Sequence, residues 1–260
     1  NLFQQLYSLV DTLVIGQVEG VTALAAVSAA GWLDWMVLGL AMGMAQGFSI
    51  LIAQYFGAND VARLRRAAGQ SILLSIGIAV LLTAVSETLL WPTLLLLQSP
   101  ENTIQLTCDY LRIIFAGVSF VMAFNLLSGF LRSLGDSRTP LYAMTSAALC
   151  NIALDILFVA VFRWGVFGVA IATVISQCIS SVICLLALRK MPIMALSRQD
   201  LKADPPMMKR LLGLGVPVAF QNLIISIGGL ALQRVVNGFG FVFMAGINAA
   251  TRLCGLMELA

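Results

Sequence analysis

Two carboxylates sit in stretches that otherwise carry no charge: Asp11, in the apolar run from Asn1 to Gly16, and Asp155, in the run from Thr139 to Phe162. An ionised carboxylate surrounded by hydrocarbon is costly, so such a residue ordinarily faces a protein interior or a wet cavity and helps to move an ion or a substrate. Asp11 lies five residues before Gly16, and Asp155 lies eight before Arg163. At a helical rise of about 1.5 Å per residue, both would stand roughly 8–12 Å below the outer membrane boundary. Asn151 precedes Asp155 by one turn and Tyr7 precedes Asp11 by one turn, so each pair shares a helix face. Thr173 follows Gly165 by eight residues and reaches about 12 Å of depth. Two carboxylates with an amide and a hydroxyl at one level form an oxygen set for Na+, or a proton site once burial disfavours the charged form. Each residue also has a plainer reading. Asp155 and Asn151 could make an interhelical hydrogen bond, Asp11 could mark a water-exposed helix end, and Thr173 could bond back to its own helix.

The elements that hold these residues are written in the spacing of charge. Of 260 residues, 60% are hydrophobic and only 10% charged, too little polar surface for a water-facing globular domain. Trp35 to Asn59, Ala67 to Ser86, Ile113 to Leu131, Trp164 to Leu188 and Leu211 to Gln233 contain no Asp, Glu, Lys or Arg. Each matches the roughly 20 apolar residues that span a bilayer as a helix. Thr139 to Phe162 makes a further span interrupted by Asp155, while Asn1 to Gly16 and Val235 to Ala260 read as spans cut short by the chain ends. An all-α polytopic membrane protein with about eight helices is expected, as a fragment of a longer one.

Orientation follows the basic residues, which are retained on the cytoplasmic side. Arg63, Arg65 and Arg66 follow span two, Arg132 and Arg138 follow span four, and six Lys or Arg residues from Arg189 to Arg210 follow span six. Those connections are expected in the cytoplasm of a multi-pass protein of the bacterial inner membrane. Topology thus accounts for the net charge of +3 and leaves no basic surface for nucleic acid. Asp34 reads as the outer end of span two, and Glu87, Asp109 and Arg112 also fall near outer boundaries. The connection from Arg189 to Lys209 is the one polar, Pro-containing linker and divides the chain. A shift of 220 positions lays Ala25 on Ala245 and Ala29-Ala30 on Ala249-Ala250, a weak internal repeat in which Asp11 falls on Ala231. Five cysteines without a CxxC pair read as buried small hydrophobes, and the absence of His removes the usual general base. Enzymatic chemistry is not expected.

The run Asn1-Leu-Phe-Gln-Gln-Leu-Tyr-Ser-Leu-Val-Asp-Thr-Leu-Val-Ile-Gly16 resembles the start of the multidrug and toxic compound extrusion (MATE) transporters. Ile52-Ala-Gln-Tyr-Phe-Gly-Ala-Asn-Asp60, Leu131-Arg-Ser-Leu-Gly-Asp-Ser-Arg-Thr-Pro140, Asn151-Ile-Ala-Leu-Asp155 and Gly215-Val-Pro217 look like family motifs in family order. The resemblance implies a two-lobe bundle of twelve helices when complete. Residues 1–190 would form the first six-helix lobe, 191–209 the interlobe linker, and 210–260 the first two helices of the second lobe. It also implies a monomer in membrane lipid that exports small organic cations in exchange for H+ or Na+ and needs no further cofactor. Asp11, Asn151, Asp155 and Thr173 fall on the cation-site positions of the DNA-damage-inducible prokaryotic branch. Tyr7, Tyr110, Asn125 and Ser128 fall on cavity positions. Gln221 stands where another branch carries an acidic residue, which directs coupling to the first lobe. A lipid-linked oligosaccharide flippase of the same superfamily is the alternative. It would need basic residues inside the first lobe, where the sequence suggests carboxylates.

Overall fold

The computed structural model describes residues 21–96 and 101–237. Seven α-helices follow in order: α1 (Val21–Gly57), α2 (Val61–Leu96), α3 (Glu101–Ala116), α4 (Val118–Ser133), α5 (Arg138–Asp155), α6 (Gly165–Arg189) and α7 (Pro205–Asn237). A π-helical turn, Ile156–Val161, prolongs α5, and a 3-10 turn, Pro192–Met194, lies between α6 and α7. There is no strand among the described residues. The helical membrane fold expected from the charge spacing is therefore observed. The first expected span lies outside the described residues, with Tyr7 and Asp11, and so does nearly all of the eighth.

Five helices are long and apolar enough to cross a bilayer, and α3 with α4 makes a sixth crossing bent by 43°. The bend is at Gly117, where a Cβ would come within 2.5 Å of Val174 Cγ2 on α6. Only glycine lets α6 approach the break so closely. The long apolar run explains why α1 exceeds the predicted span. It begins at Val21, while the apolar span within it runs Leu33–Gly57, so Asp34 stands at the outer end of the span but inside the helix, with its Oδ1 buried.

Helix α1 is the hub, packing against α2, α3, α4 and above all α7. Phe48, Leu51 and Ile52 on α1 are fully buried, as are Leu111 on α3 and Phe130 and Leu131 on α4. Large apolar side chains such as Val80, Leu81, Leu149 and Ile224 stay more than half exposed, the pattern of a surface that meets lipid instead of water. The contact between α1 and α7 runs along Gly39, Gly43 and Gly47, spaced one turn apart. A Cβ on Gly43 would lie 2.6 Å from Ala219 Cα, and one on Gly47 would collide with the backbone at Gly215. Backbones this close gain dispersion and remove the lipid between them. Asn222 Nδ2 donates across the crossing to Gly39 O at 2.9 Å, and at its other end Arg210 Nη1 donates to the Tyr55 hydroxyl at 3.2 Å.

The connection between α6 and α7 is fastened to the first turns of α2. The fully buried Gln70 amide donates to the carbonyls of Asp200 (2.9 Å) and Lys202 (2.8 Å) and accepts from the Asp204 N–H (3.0 Å). Arg65 donates to Ile193 O and Pro192 O, at 3.0 and 2.8 Å. Asp204 caps α7 by accepting from the Met207 N–H at 3.2 Å, with Pro205 opening the helix. The Ser197 backbone N–H and hydroxyl both donate to Asp200 Oδ2 and hold its carboxyl below the usual carboxylate range.

Two outcomes test this packing. Gly47→Val should lower the thermal midpoint of the detergent-solubilised full-length protein, through a clash costing about 1–3 kcal/mol. Gly77→Val, where a Cβ meets nothing within 4 Å, should not. Gln70→Leu leaves two carbonyls and an N–H unanswered, a loss of about 1–3 kcal/mol, and should speed proteolysis of the 190–204 connection in the detergent-solubilised full-length protein. Because the Asp200 carboxyl is depressed in the folded state, its stabilisation is present above the unfolded value and lost as pH falls through the folded one. Wild-type cleavage should therefore also quicken in that acid window.

Candidate cation site and cavity

Helices α5 and α6 run antiparallel from the turn at Phe162–Gly165 and carry the polar residues in pairs. Asn151 and Asp155 are one turn apart on α5, and Thr173 and Gln177 are one turn apart on α6. Asp155 lies eight residues before Arg163 and Thr173 eight after Gly165, with Asn151 and Gln177 one helical turn, about 6 Å, further from the reversal. Asp155 is fully buried and Asn151 is 2% exposed. The α-helical hydrogen-bond pattern ends at Asp155, and the wider π turn that follows redirects the chain, a feature frequent at functional sites. Arg163 and Gly165 then take the left-handed backbone conformation, each with φ of 57°, to reverse the chain into α6.

Among the described residues, neither end of the Asn151 amide, nor Thr173 Oγ1, nor Gln177 Oε1 has a hydrogen-bond partner. Other hydroxyls on α6 behave differently. Ser176 donates to Ala172 O, and Ser181 donates to Gln177 O and Phe120 O. The back-bond that would have made Thr173 merely structural is not formed. Burial without a partner costs about 1–3 kcal/mol per group, so an amide, a hydroxyl and a second amide left open together can receive a cation, water or a substrate. Their oxygens and the Asp155 carboxylate are hard donors of the kind Na+ accepts. Gln177 is the member that the sequence reading missed. Its signal was the spacing of four from Thr173, which fixes the same helix face.

The site opens on a cavity of about 820 Å3. Its walls come from α1 (Trp35, Gln46, Ser49), α4 (Asn125, Ser128, Arg132), α5 (Asn151), α6 (Thr173, Gln177) and α7 (Asn222, Ser226). Four residues singled out from sequence, Asn125, Ser128, Asn151 and Thr173, thus line one space. Asn125 and Ser128 are tied to their own helix: Asn125 Nδ2 donates to Val121 O at 2.8 Å, and Ser128 Oγ donates to Asn125 O at 3.1 Å. Tyr110 lies elsewhere, in a cavity of about 560 Å3 with Asp109, Arg112, Arg163 and Trp164. A basic group does border the main cavity, from the exposed last turn of α4. Arg132 lines the main cavity, its Nη2 donating to Ser128 Oγ at 3.3 Å.

The MatE family model matches residues 1–157. The whole chain aligns with the probable multidrug resistance protein YoeA of Bacillus subtilis at 30% identity over 267 residues, and with the multidrug export protein MepA of Staphylococcus aureus at 22% over 260. It spans 58% of the length of each. Among solved structures it is similar to a MATE transporter in a bent conformation, with a TM-score of 0.88 and 26% identity over 98% of this chain and 57% of that one. It is also similar to an inward-facing multidrug resistance MATE transporter, with a TM-score of 0.82 and 27% identity over 90% of this chain and 53% of that one. Family motifs and helical architecture agree: the chain belongs to the MatE family of membrane transporters.

Proposed function

We propose that the complete protein is a secondary active multidrug exporter that exchanges amphipathic organic cations for H+ or Na+ by alternating access. The observation that carries this reading is the set of unanswered polar groups at Asn151, Thr173 and Gln177, beside buried Asp155 and open to a cavity of ligand size. A coupling cation bound there neutralises the carboxylate and weakens the hold on a positively charged substrate. Release of the cation restores it. A ligand shifts an equilibrium only by its differential affinity for the two states, so competition for one carboxylate cluster is the simplest coupling. Asp11 joins the cluster in this proposal by its matched depth in the first span. The division into residues 1–190, 191–209 and 210–260 is part of the same reading, with the α1–α7 crossing as the contact between lobes. The distribution of Lys and Arg supports cytoplasmic connections after spans two, four and six in a plasma-membrane monomer. The relatives' names, multidrug resistance and multidrug export, agree with this class of activity.

Reconstitution of the full-length protein with separately imposed Na+ and pH gradients is the test. One gradient should drive accumulation of a cationic dye, and Asp11→Asn and Asp155→Asn should each abolish it at undiminished expression. Normal drug-driven cation flux in Asp11→Asn would sink the mechanism. Thr173→Val and Asn151→Ala should instead weaken the apparent affinity for the coupling ion by about tenfold, the worth of one buried polar ligand. An unchanged ion dependence in both variants would remove them from the site.

A further inference from the structure

We propose that Arg132 gives the main cavity an anion-holding end and binds an acidic group on the substrate, so that the preferred ligands are amphiphiles carrying an acidic as well as a basic function. This rests on the reading of that cavity as the substrate site. Arg132 is the only charged side chain among the described residues that line it. The rest of the lining is apolar, amide or hydroxyl. Arg132 stands in the last turn of α4. Pro140 and Asn151 both line the cavity along α5, and their eleven-residue separation sets about 16 Å between its two ends. The guanidinium therefore marks one end, Asn151 lies toward the other, and Asp155 follows one helical turn beyond Asn151, outside the lining.

Arg132 is available for a ligand. A guanidinium carries five N–H donors in a planar fork, and within the cavity that of Arg132 donates to Ser128 Oγ. Among the described residues it forms no ion pair. Its neighbour in sequence, Asp136, is already engaged: Oδ1 accepts from the backbone N–H groups of Arg138 and Thr139, and Oδ2 accepts from the Thr139 hydroxyl. Those bonds, the Thr139 hydroxyl first among them, hold the Asp136 carboxyl below its ordinary range. Met42, Phe124, Leu141 and Met144 supply an adaptable apolar wall between the ends. A carboxylate or phosphate seated on the fork could make two parallel charge-assisted hydrogen bonds, a geometry that lysine does not offer. If Arg132 merely complemented the α4 C-terminus, any cation would serve.

The test uses a cationic xanthene dye bearing a free carboxylate and its methyl ester, which differ only in the anionic group. Each is titrated by fluorescence anisotropy into purified full-length protein, as wild type, Arg132→Gln and Arg132→Lys. Wild type should prefer the free carboxylate by about tenfold, the contribution of one charge-assisted contact. The ratio should fall to about one in Arg132→Gln and to an intermediate value in Arg132→Lys. The ratio compares two dyes on one preparation, so partial misfolding does not alter it. A wild-type ratio near one, or a tenfold ratio that survives Arg132→Gln, overturns the inference and leaves the multidrug reading intact. Failure of wild type to bind either dye overturns both.

Discussion

Inside a bilayer there is no water to answer a polar side chain, so each hydroxyl and amide on these helices must be answered by its own helix, by a neighbour, or by something that comes and goes. The structure sorts its polar residues along those lines. Ser71, Thr93, Thr145 and Ser176 bond back to carbonyls four residues earlier and stay local. Thr83, Ser133 and Ser181 reach the carbonyls of Phe115, Ser49 and Phe120 on other helices and fix how those helices sit. Asn151, Thr173 and Gln177 do neither. They sit near Asp155 on one antiparallel pair and line the main cavity, and the functional reading grows from that grouping.

Close helix contact supplies the frame. The glycines of α1 bring α7 near enough for Asn222 to donate to the Gly39 carbonyl, and Asn222 and Ser226 then become part of the cavity wall. At the opposite end the linker lies on α2 through Gln70 and Arg65. The chain between α6 and α7 is therefore anchored up to Asp204, and α7 starts at the next residue.

Much of this was legible in the sequence because the bilayer forces apolar, uncharged runs, and their spacing located every described span. The pairing of Asn151 with Asp155 followed from helical periodicity alone, and Thr173 from its distance to the chain reversal. Other features depended on three-dimensional facts that periodicity does not encode. Asp34 does end the apolar span, but the helix itself continues back to Val21, which charge spacing does not show. Tyr110 lines a different cavity, on the α3 side of the bend at Gly117. Arg132 was read as following span four by charge counting, and it stands exposed in the last turn of α4, where it also borders the cavity. Gln177 and the Gly39-Gly43-Gly47 face were present as spacings of four and went unread.

The central claim is that substrate and coupling cation compete for one cluster in the first six spans. Equilibrium affinity of the purified full-length protein for a cationic dye, measured across a matrix of pH and Na+ concentration, tests it most directly. The account predicts that the apparent Kd rises with Na+ or with falling pH, and that this dependence disappears in Asp155→Asn. A dye affinity that is indifferent to both ions in the wild-type protein would contradict it.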